Sequence, residues 1–274
     1  MNVSFDFTGR VVIVTGAARG VGREMVMQFA ATGASVVAAD RDAEGLAETC
    51  RTIDPAKLES LVADVSTEDG AVAIVEAAVK RFGKLDVCVN NAAVAPHASL
   101  LEERVEVWDT VFAVNSRGTF LMTRAAARAM IDAGNGGRII NFSSGVTSRG
   151  SAGAAAYSAS RAATEAFSRV AAVELSPHNI LVNVVSPGLI DTQPKPLPPT
   201  MAASLGKRIP MIPLARPGEP SEVATLVLFL ASDAAGYVTG SVYTIDGGSG
   251  IGTRPTGPVT DEDVRYDWVT GRQR

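Results

Sequence analysis

Short runs of apolar residues alternate along the chain with longer segments in which apolar residues recur every three or four positions. A short run that is apolar throughout indicates a strand buried on both faces, and the longer period indicates an amphipathic helix. The strand-like runs are residues 11–15, 35–39, 58–62, 87–90, 138–142, 181–185 and 243–245. The main helix-like segments are residues 21–32, 43–51, 71–82, 105–131, 155–175 and 221–230.

This alternation predicts an α/β protein with a single doubly wound Rossmann-type domain. Its parallel sheet of about seven strands is expected to carry helices on both faces. No shift in composition divides the chain, so we expect the domain to span residues 1–248.

Two segments depart from the alternation. Residues 191–220 are rich in proline and hold a short helical piece at about 200–207, which indicates either a lid over an active site or a surface excursion. Residues 249–274 form a C-terminal tail. This tail is either solvated or docks on a neighbouring subunit or at the edge of its substrate pocket.

Composition narrows the function further. The 274 residues are 46% hydrophobic and 20% charged, with a net charge of −4, which favours a folded core and disfavours a nucleic-acid partner. The two cysteines show no metal-ligand spacing, and no apolar run approaches the roughly 20 residues that span a bilayer. We expect a soluble cytoplasmic protein without a metal and without a membrane partner.

A glycine cluster between the first strand and the first helix predicts a dinucleotide site. Gly16, Gly20 and Gly22 allow a tight turn and let a pyrophosphate approach the free N–H groups of the helix, with Arg19 and Val21 in the same turn. A glycine cluster alone is weak evidence for a dinucleotide site, but its placement between the first strand and the first helix is specific to such sites.

The end of the second strand bears on the choice of cofactor. Asp40 can accept hydrogen bonds from the ribose hydroxyls and would repel a 2′-phosphate, which favours NAD over NADP. Arg41 and Arg19 are a counterweight, because guanidinium groups could hold that phosphate.

Further polar residues follow the next strands. Asp64 and Val65 follow the third strand, and Asn91 follows the fourth. The carboxyl ends of strands in an open parallel sheet are where ligands bind, so these residues are predicted to line the cofactor.

Tyr157 and Arg161 are four residues apart on a predicted helix, which places them on one face. A phenol with a pKa of about 10 acts as a base near neutrality only if that pKa falls by about 3, which corresponds to roughly 4 kcal/mol. A unit charge about 4 Å away, at an effective dielectric of about 20, supplies an energy of that size. The pair is therefore a candidate acid/base site.

The ordered motifs resemble the short-chain dehydrogenase/reductase family over about residues 5–248. TGxxxGxG corresponds to Thr15–Gly22, and the family's NNAG to residues 90–93 with Ala93 in place of glycine. Asn115 corresponds to the family's structural and relay asparagine and Ser144 to its catalytic serine. The family's PGxxxT corresponds to Pro187, Gly188 and Thr192, with Ile190 between them.

This resemblance implies an NAD-dependent oxidoreductase that moves hydride between the nicotinamide and a secondary alcohol or ketone. It implies that Ser144 orients the substrate oxygen, that Tyr157 passes the proton and that Asn115 holds a water chain. It also implies that Pro187, Gly188, Ile190 and Thr192 hold the nicotinamide end, and that the protein is a homotetramer.

Arg161 is the main departure, because the family has lysine there. Arginine keeps the charge but cannot give up a proton. Ser144, Tyr157 and Arg161 also resemble the set used by the halohydrin dehalogenases, relatives without a dinucleotide, in which tyrosinate deprotonates a hydroxyl as halide leaves. A non-catalytic NAD-binding protein is the third interpretation.

Overall fold

The computed structural model of the chain describes residues 4–192 and 196–254, together with the backbone of two short strands at 266–267 and 272–273. Parts of two predicted features, the lid and the tail, therefore lie outside the described residues. The two short strands, Tyr266–Asp267 and Arg272–Gln273, pair antiparallel.

Seven parallel strands form the main sheet, as the alternation predicted. They are β1 (Val11–Thr15), β2 (Ser35–Asp40), β3 (Leu58–Val62), β4 (Val87–Asn90), β5 (Gly137–Phe142), β6 (Ile180–Pro187) and β7 (Val242–Ile245). Their order in the sheet is β3-β2-β1-β4-β5-β6-β7. The order reverses between β1 and β4, and such a switch point leaves a crevice at the carboxyl ends of the strands.

Eight α-helices connect the strands and cover the sheet in the described part of the chain. They are α1 (Gly20–Ala31), α2 (Ala43–Cys50), α3 (Glu68–Phe82), α4 (Val105–Phe112), α5 (Thr119–Ala133), α6 (Ala155–Leu175), α7 (Pro199–Arg208) and α8 (Pro220–Ala231). None of them is long and apolar enough to cross a membrane.

The core consists of two apolar layers, one on each face of the sheet. Val12 and Val14 of β1 pack with α1 and α8 on one face, and Val11 and Ile13 pack with α3, α5 and α6 on the other. Because both faces of the strand are covered, every residue of β1 is buried. This is why the strands are continuous apolar runs and do not alternate with polar residues.

The helical segment predicted at 105–131 is interrupted. A π-helical turn, Ala113–Gly118, separates α4 from α5, and buried Asn115 lies inside it. Such a turn inserts one residue into the helical ladder and is frequent at functional sites. The stretch is helical throughout, as predicted, but the period of the apolar residues does not register this insertion, so the π-helical turn itself was not predicted.

Candidate active site

The turn between β1 and α1 needs glycine for two separate reasons. Gly16 and Gly20 have φ angles of +69° and +57°, in the left-handed region that favours glycine. Gly22 is required for space, since a Cβ there would lie 1.8 Å from the carbonyl oxygen of Gly16. The amide of Asn91 donates to the carbonyl oxygens of Thr15 (3.0 Å) and Gly16 (3.2 Å), which fixes the turn against the end of β4.

The N-terminus of α1 suits an anionic ligand. Arg19 is the N-cap residue but makes no side-chain capping bond within the described chain, and the first turn of the helix has no acidic residue. Val21 lies in this turn, and its backbone N–H is among the first four, which have no partner inside the helix. Free N–H groups and the helix dipole favour a phosphate at this point.

Two predicted cofactor motifs that are distant in sequence meet at this turn. A Cβ on Gly20 would lie 3.2 Å from Cβ and from Cγ2 of Thr192. The glycine turn and the loop after β6 therefore lie side by side, and a side chain at position 20 would press against Thr192. The residues present fit a dinucleotide pyrophosphate.

Asp40 is held in a fixed orientation at the end of β2. Its Oδ2 accepts from the N–H of Ala18 at 2.9 Å, and its Oδ1 accepts from the N–H of Asp42 at 3.0 Å. Each oxygen keeps a lone pair for a further donor such as a ribose hydroxyl. Arg19 and Arg41 line a cavity of about 500 Å³ that is also bounded by residues 93–96.

Asp64 and Val65 lie just beyond the end of β3. Hydrogen bonding from Ser66 is the main reason that the pKa of the Asp64 carboxyl is lowered, and the charges of Arg41 and Arg117 add to this. Val65 is buried, and its carbonyl oxygen would be 3.1 Å from a Cβ on Gly118 in the π-helical turn. These contacts connect the β3 loop to the element that carries Asn115.

Asn115 connects the loop after β4 to α6 through hydrogen bonds. Its Oδ1 accepts from the N–H of Val94 at 2.9 Å, and its Nδ2 donates to the carbonyl of Val94 (3.0 Å) and to Oγ of Ser160 (3.1 Å). Ser160 in turn donates to the backbone carbonyl of Tyr157 at 2.8 Å. Both amide hydrogens of Asn115 are therefore used inside the protein.

Tyr157 and Arg161 face each other on α6, as their spacing predicted. The guanidinium carbon of Arg161 lies 5.3 Å from the centre of the Tyr157 ring. Arg161 is 3% exposed, and its Nη1 donates to the carbonyl of Phe142 at 2.7 Å. Its Nε has no partner among the described residues.

The pKa of Tyr157 is lowered although the phenol is largely buried. Burial alone raises this pKa, but the charge of Arg161, a hydrogen bond with Arg161 and a hydrogen bond with Ser144 together outweigh burial. A fixed cation and a hydroxyl that both stabilise a phenolate are what a tyrosine needs to act as a base near neutrality.

Ser144 leaves the end of β5 in an extended conformation and opens a short 3₁₀ turn, Gly145–Thr147. The N–H of Thr147 donates to the carbonyl of Ser144 at 3.0 Å, which closes this turn. The Ser144 hydroxyl is thereby carried to the carboxyl edge of the sheet, where it meets the phenol of Tyr157.

The loop after β6 is fixed from two sides. The N–H of Gly188, which follows Pro187, donates to the carbonyl of Ile245 at 2.9 Å, and a Cβ on Gly188 would lie 2.6 Å from Cβ of Asp246. Ile190 forms an isolated parallel bridge with Gly218, just before α8. The bridge closes the base of the predicted lid, residues 191–220.

The predicted site residues thus form two connected groups. Ser144, Tyr157 and Arg161 lie together in one group, and Asn115 joins it through Ser160. The glycine turn, Asn91 and the loop after β6 line the crevice beside β1 and β4. A second cavity of about 520 Å³ lies between α3 and α5, and none of the predicted site residues lines it in the described chain.

Three contributors were missed by the sequence analysis. The carbonyl of Phe142 binds Arg161 and the hydroxyl of Ser160 binds Asn115, and no sequence motif predicts either contact. Glu165 lies four residues beyond Arg161 and accepts hydrogen bonds from the residues on either side of the Ser144–Val146 stretch, Ser143 and Thr147. The repeat of the four-residue spacing from Tyr157 to Glu165 was the available signal.

A sequence profile described as enoyl-(acyl carrier protein) reductase matches residues 16–250. The 3-oxoacyl-(acyl-carrier-protein) reductase of Thermotoga maritima is 40% identical over 242 residues, which cover 88% of this chain and 97% of that protein.

A second relative and a solved structure agree with this match. The cis-4-hydroxycyclohexanecarboxylate dehydrogenase of Sinomonas cyclohexanicum is 40% identical over 246 residues, covering 88% of this chain and 97% of that protein. The crystal structure of a short-chain type dehydrogenase/reductase from Mycobacterium marinum superposes with a TM-score of 0.82 at 35% identity, covering 89% of this chain and 97% of that one.

Proposed function

The chain belongs to the short-chain dehydrogenase/reductase family and is an oxidoreductase of that family, and from this premise we propose how its own residues carry out the reaction. Tyr157 is the acid/base, Ser144 orients the substrate oxygen and Arg161 takes the place of the family's lysine. The observation that carries this proposal is the Arg161 guanidinium, whose carbon lies 5.3 Å from the centre of the Tyr157 ring, beside a phenol whose pKa Arg161 and Ser144 both lower.

The family uses NAD or NADP, and when bound this cofactor supplies the acceptor or donor of hydride. We assign its pyrophosphate to Gly16, Arg19, Gly20, Val21 and Gly22. We assign its adenosine half to Asp40, Arg41, Asp64 and Val65. Asn91, Tyr157, Arg161, Pro187, Gly188, Ile190 and Thr192 hold the nicotinamide half.

In the direction of alcohol oxidation, the Tyr157 phenolate takes the proton of the substrate hydroxyl. Ser144 donates a hydrogen bond to the substrate oxygen and fixes its position at the phenol. In the direction of ketone reduction, the neutral phenol gives its proton to the same oxygen. Both directions need the pKa of Tyr157 near the working pH, which is the role of Arg161.

Arg161 acts through its fixed charge and its position. Its bond to the Phe142 carbonyl holds the guanidinium beside the phenol, and arginine stays protonated throughout the cycle. It therefore stabilises the phenolate without carrying its proton, so the proton of Tyr157 has to exchange with solvent through other groups.

We propose NAD as the preferred cofactor. The Asp40 carboxylate is held at the end of β2 by two backbone N–H groups, where it favours ribose hydroxyls and repels a 2′-phosphate. NADP is the alternative, since Arg19 and Arg41 line the adjoining cavity and could neutralise that phosphate.

A secondary alcohol or ketone of low molecular mass is the proposed substrate class. We further propose that residues 1–248 form the catalytic domain, with residues 191–220 as its lid and 249–274 as a tail. A homotetramer is the proposed assembly, as the family resemblance implies.

One observation favours a second function. Arg161, together with Ser144 and Tyr157, matches the residue set of the halohydrin dehalogenases, which do not use a dinucleotide. Against that function, the chain keeps the space-limited Gly22, the close approach of Gly20 to Thr192 and the oriented Asp40. Redox chemistry explains these features, and dehalogenation does not require them.

Parallel titrations and assays separate the alternatives. The purified chain is titrated with NADH and NADPH by nicotinamide fluorescence, and halide release is measured with a vicinal halohydrin. We expect NADH to bind and the halohydrin to be untouched. Halide release without dinucleotide binding would establish the dehalogenase. A protein that binds NADH and whose biological function is unaltered by Tyr157→Phe would be a non-catalytic NAD-binding protein.

A further inference from the structure

Glu165 of α6 is a largely buried carboxylate directed at the end of β5. Its side chain is 15% exposed. Its Oε1 accepts from Oγ of Ser143 at 2.5 Å and lies 2.8 Å from Oγ1 of Thr147. Its Oε2 lies 3.7 Å from Nη2 of Arg169 on the same helix. A buried carboxylate needs such partners, because transferring the charged group from water to the protein interior without them costs free energy.

The two hydroxyl partners of Glu165 enclose Ser144 in sequence. Ser143 precedes it, and Thr147 closes the 3₁₀ turn that begins at it. The Thr147 hydroxyl also lies 3.0 Å from the carbonyl of Ser144. Its single hydrogen can serve one acceptor, and a charged acceptor makes the stronger bond, so we assign it to Glu165.

Helix α6 contacts the segment around Ser144 at two positions one turn apart. Tyr157, Arg161 and Glu165 are spaced by four residues, which places them in one row along α6. Arg161 binds the carbonyl of Phe142, and Glu165 binds Ser143 and Thr147. The position of Ser144 relative to Tyr157 is thereby set from the helix that carries Tyr157.

We propose that Glu165 is a positioning residue, which fixes the hydroxyl of Ser144 against the phenol of Tyr157. The inference rests on the proposed function in that it assigns Ser144 and Tyr157 to catalysis. The contacts themselves do not depend on any cofactor or substrate.

The sign of one measurable effect distinguishes positioning from direct electrostatics. Removing a negative charge near Tyr157 makes the phenolate more favourable, so the direct effect of losing Glu165 is a lower pKa for Tyr157. Losing the Ser144 hydrogen bond removes one of the causes that lower this pKa. If Glu165 positions Ser144, its removal therefore raises the pKa of Tyr157. If Glu165 acts only through its charge, its removal lowers that pKa.

The experiment titrates Tyr157 by the ultraviolet absorbance of tyrosinate. Each spectrum is corrected with that of the same protein carrying Tyr157→Phe, which removes the contribution of the other tyrosines. The method needs neither substrate nor cofactor, so its failure is separate from a failure of the proposed function.

In Glu165→Ala we expect the pKa of Tyr157 to rise by up to about one pH unit, the size of one hydrogen bond to a charged group. Ser144→Ala should give a rise of similar size. Glu165→Gln keeps the acceptor oxygen and should stay at or slightly below the wild-type value. This rescue by the conservative variant is what a charge effect alone does not produce.

The double variant Ser144→Ala/Glu165→Ala tests whether Glu165 acts through Ser144. Once the Ser144 hydroxyl is absent, Glu165 has nothing to position. The pKa of Tyr157 in the double variant should therefore be no higher than in Ser144→Ala alone. An unchanged or lowered pKa in Glu165→Ala, or rises that add in the double variant, would overturn the proposal. If Glu165→Ala does not fold by circular dichroism, Thr147→Val replaces it with the same expected rise and the same overturning results.

Discussion

At the scale of single residues, Arg161 combines a position with a charge. Its Nη1 is bound to the Phe142 carbonyl, and its guanidinium carbon lies 5.3 Å from the centre of the Tyr157 ring, where the charge lowers the pKa of Tyr157. A lysine has the same charge but lacks the planar fork of donors that can bind a carbonyl and a phenol together. The charge is therefore the part of the role that lysine can supply.

Two substitutions at Arg161 separate these contributions. Arg161→Lys keeps the charge, so we expect turnover at or above the wild-type value. Arg161→Met removes it and should lower kcat near pH 7 by about 100-fold or more, the usual scale of an acid/base contribution. Steady-state kinetics on both variants measures this, and a complete loss of turnover in Arg161→Lys would show that arginine has a task beyond its charge.

The same lowered pKa governs the dependence of activity on pH. With Tyr157 as the proposed base, alcohol oxidation requires its phenolate, so kcat should rise as pH passes upward through the Tyr157 pKa and then level off. Because this pKa is lowered, the plateau should begin below the pH expected for an ordinary tyrosine. In Arg161→Met the rise should move to higher pH, and a profile that does not move would exclude Tyr157 as the titrating base.

The sequence predicted the Tyr157–Arg161 pair, because helical spacing brings residues four apart to one face. The family resemblance added Ser144 to this pair. The Phe142 carbonyl that binds Arg161 was not predicted, because no local pattern encodes a contact between a strand end and a helix. Glu165 was overlooked for the same reason, since its hydroxyl partners lie about twenty residues earlier.

At the scale of elements, the β1–α1 turn combines sequence signals with a spatial limit. Gly22→Ala places a Cβ 1.8 Å from the Gly16 carbonyl, so the turn must shift. We expect overpacking to destabilise the fold by about 1–3 kcal/mol, and the melting temperature to fall accordingly. Affinity for NADH should fall by at least about tenfold, which a loss of about 1.4 kcal/mol of binding energy already produces.

A matched control for this prediction is Gly206→Ala in α7. A Cβ there meets nothing within 4 Å, and alanine has the better helix propensity. As a control for stability, this substitution should keep or slightly raise the melting temperature, whereas Gly22→Ala lowers it. Equal effects of the two substitutions would contradict the proposed role of the turn.

The N-terminus of α8 gives a prediction about stability. The Glu222 carboxylate binds Arg216 through both oxygens at 2.7 and 2.8 Å and accepts from the N–H of Glu219 at 2.8 Å. The side-chain bond with Arg216 is the largest cause that lowers the pKa of Glu222 to about 2. By calorimetry, Glu222→Gln should lower the melting temperature at pH 7 by about 1–4 °C, the scale of a lost helix cap.

The sign of the pH effect follows from the lowered pKa. Ionised Glu222 contributes fully above its ordinary pKa of 4.5, and this contribution declines as pH falls toward about 2. The difference in melting temperature between wild type and Glu222→Gln should therefore shrink below about pH 4.5. A difference that grows on acidification would contradict this account.

Elements differ in how well the sequence predicted them. The strand cores were found because β-branched runs buried on both faces are continuous, as in β1. Some strand limits were off by one or two residues, as at β6, where the strand begins at Ile180 and continues to Pro187. The π-helical turn at Ala113–Gly118 was missed, because one inserted residue barely changes the apolar period.

At the scale of the whole molecule, the strand order brings the site together. β1 and β4 are neighbours although β2 and β3 lie between them in sequence, and this reversal opens the crevice at their carboxyl ends. The alternation predicted the parallel sheet, but the exact order depends on the packing of crossovers that no single segment specifies. The predicted lid and tail fall partly outside the described residues and stay predictions.

Cofactor choice is a property of the assembled crevice, since Asp40, Arg19 and Arg41 come from two loops. NADH at about 100 times its Kd should stabilise the folded chain by about 2.7 kcal/mol, and NADPH at equal concentration by less. Asp40→Ser should narrow or reverse this difference by removing the carboxylate. Melting temperatures with each cofactor measure it, and a larger shift with NADPH in wild type would contradict the proposed NAD preference.

The most direct test of the account follows deuteride. The chain is mixed with NADH that carries deuterium at the transferred position and with a panel of small ketones, and the alcohols are analysed by mass spectrometry. We predict deuterium on the carbinol carbon with wild type and Arg161→Lys, and at least about 100-fold less with Tyr157→Phe. No transfer from NADH or NADPH to any ketone, together with Tyr157-dependent halide release from a halohydrin, would contradict it.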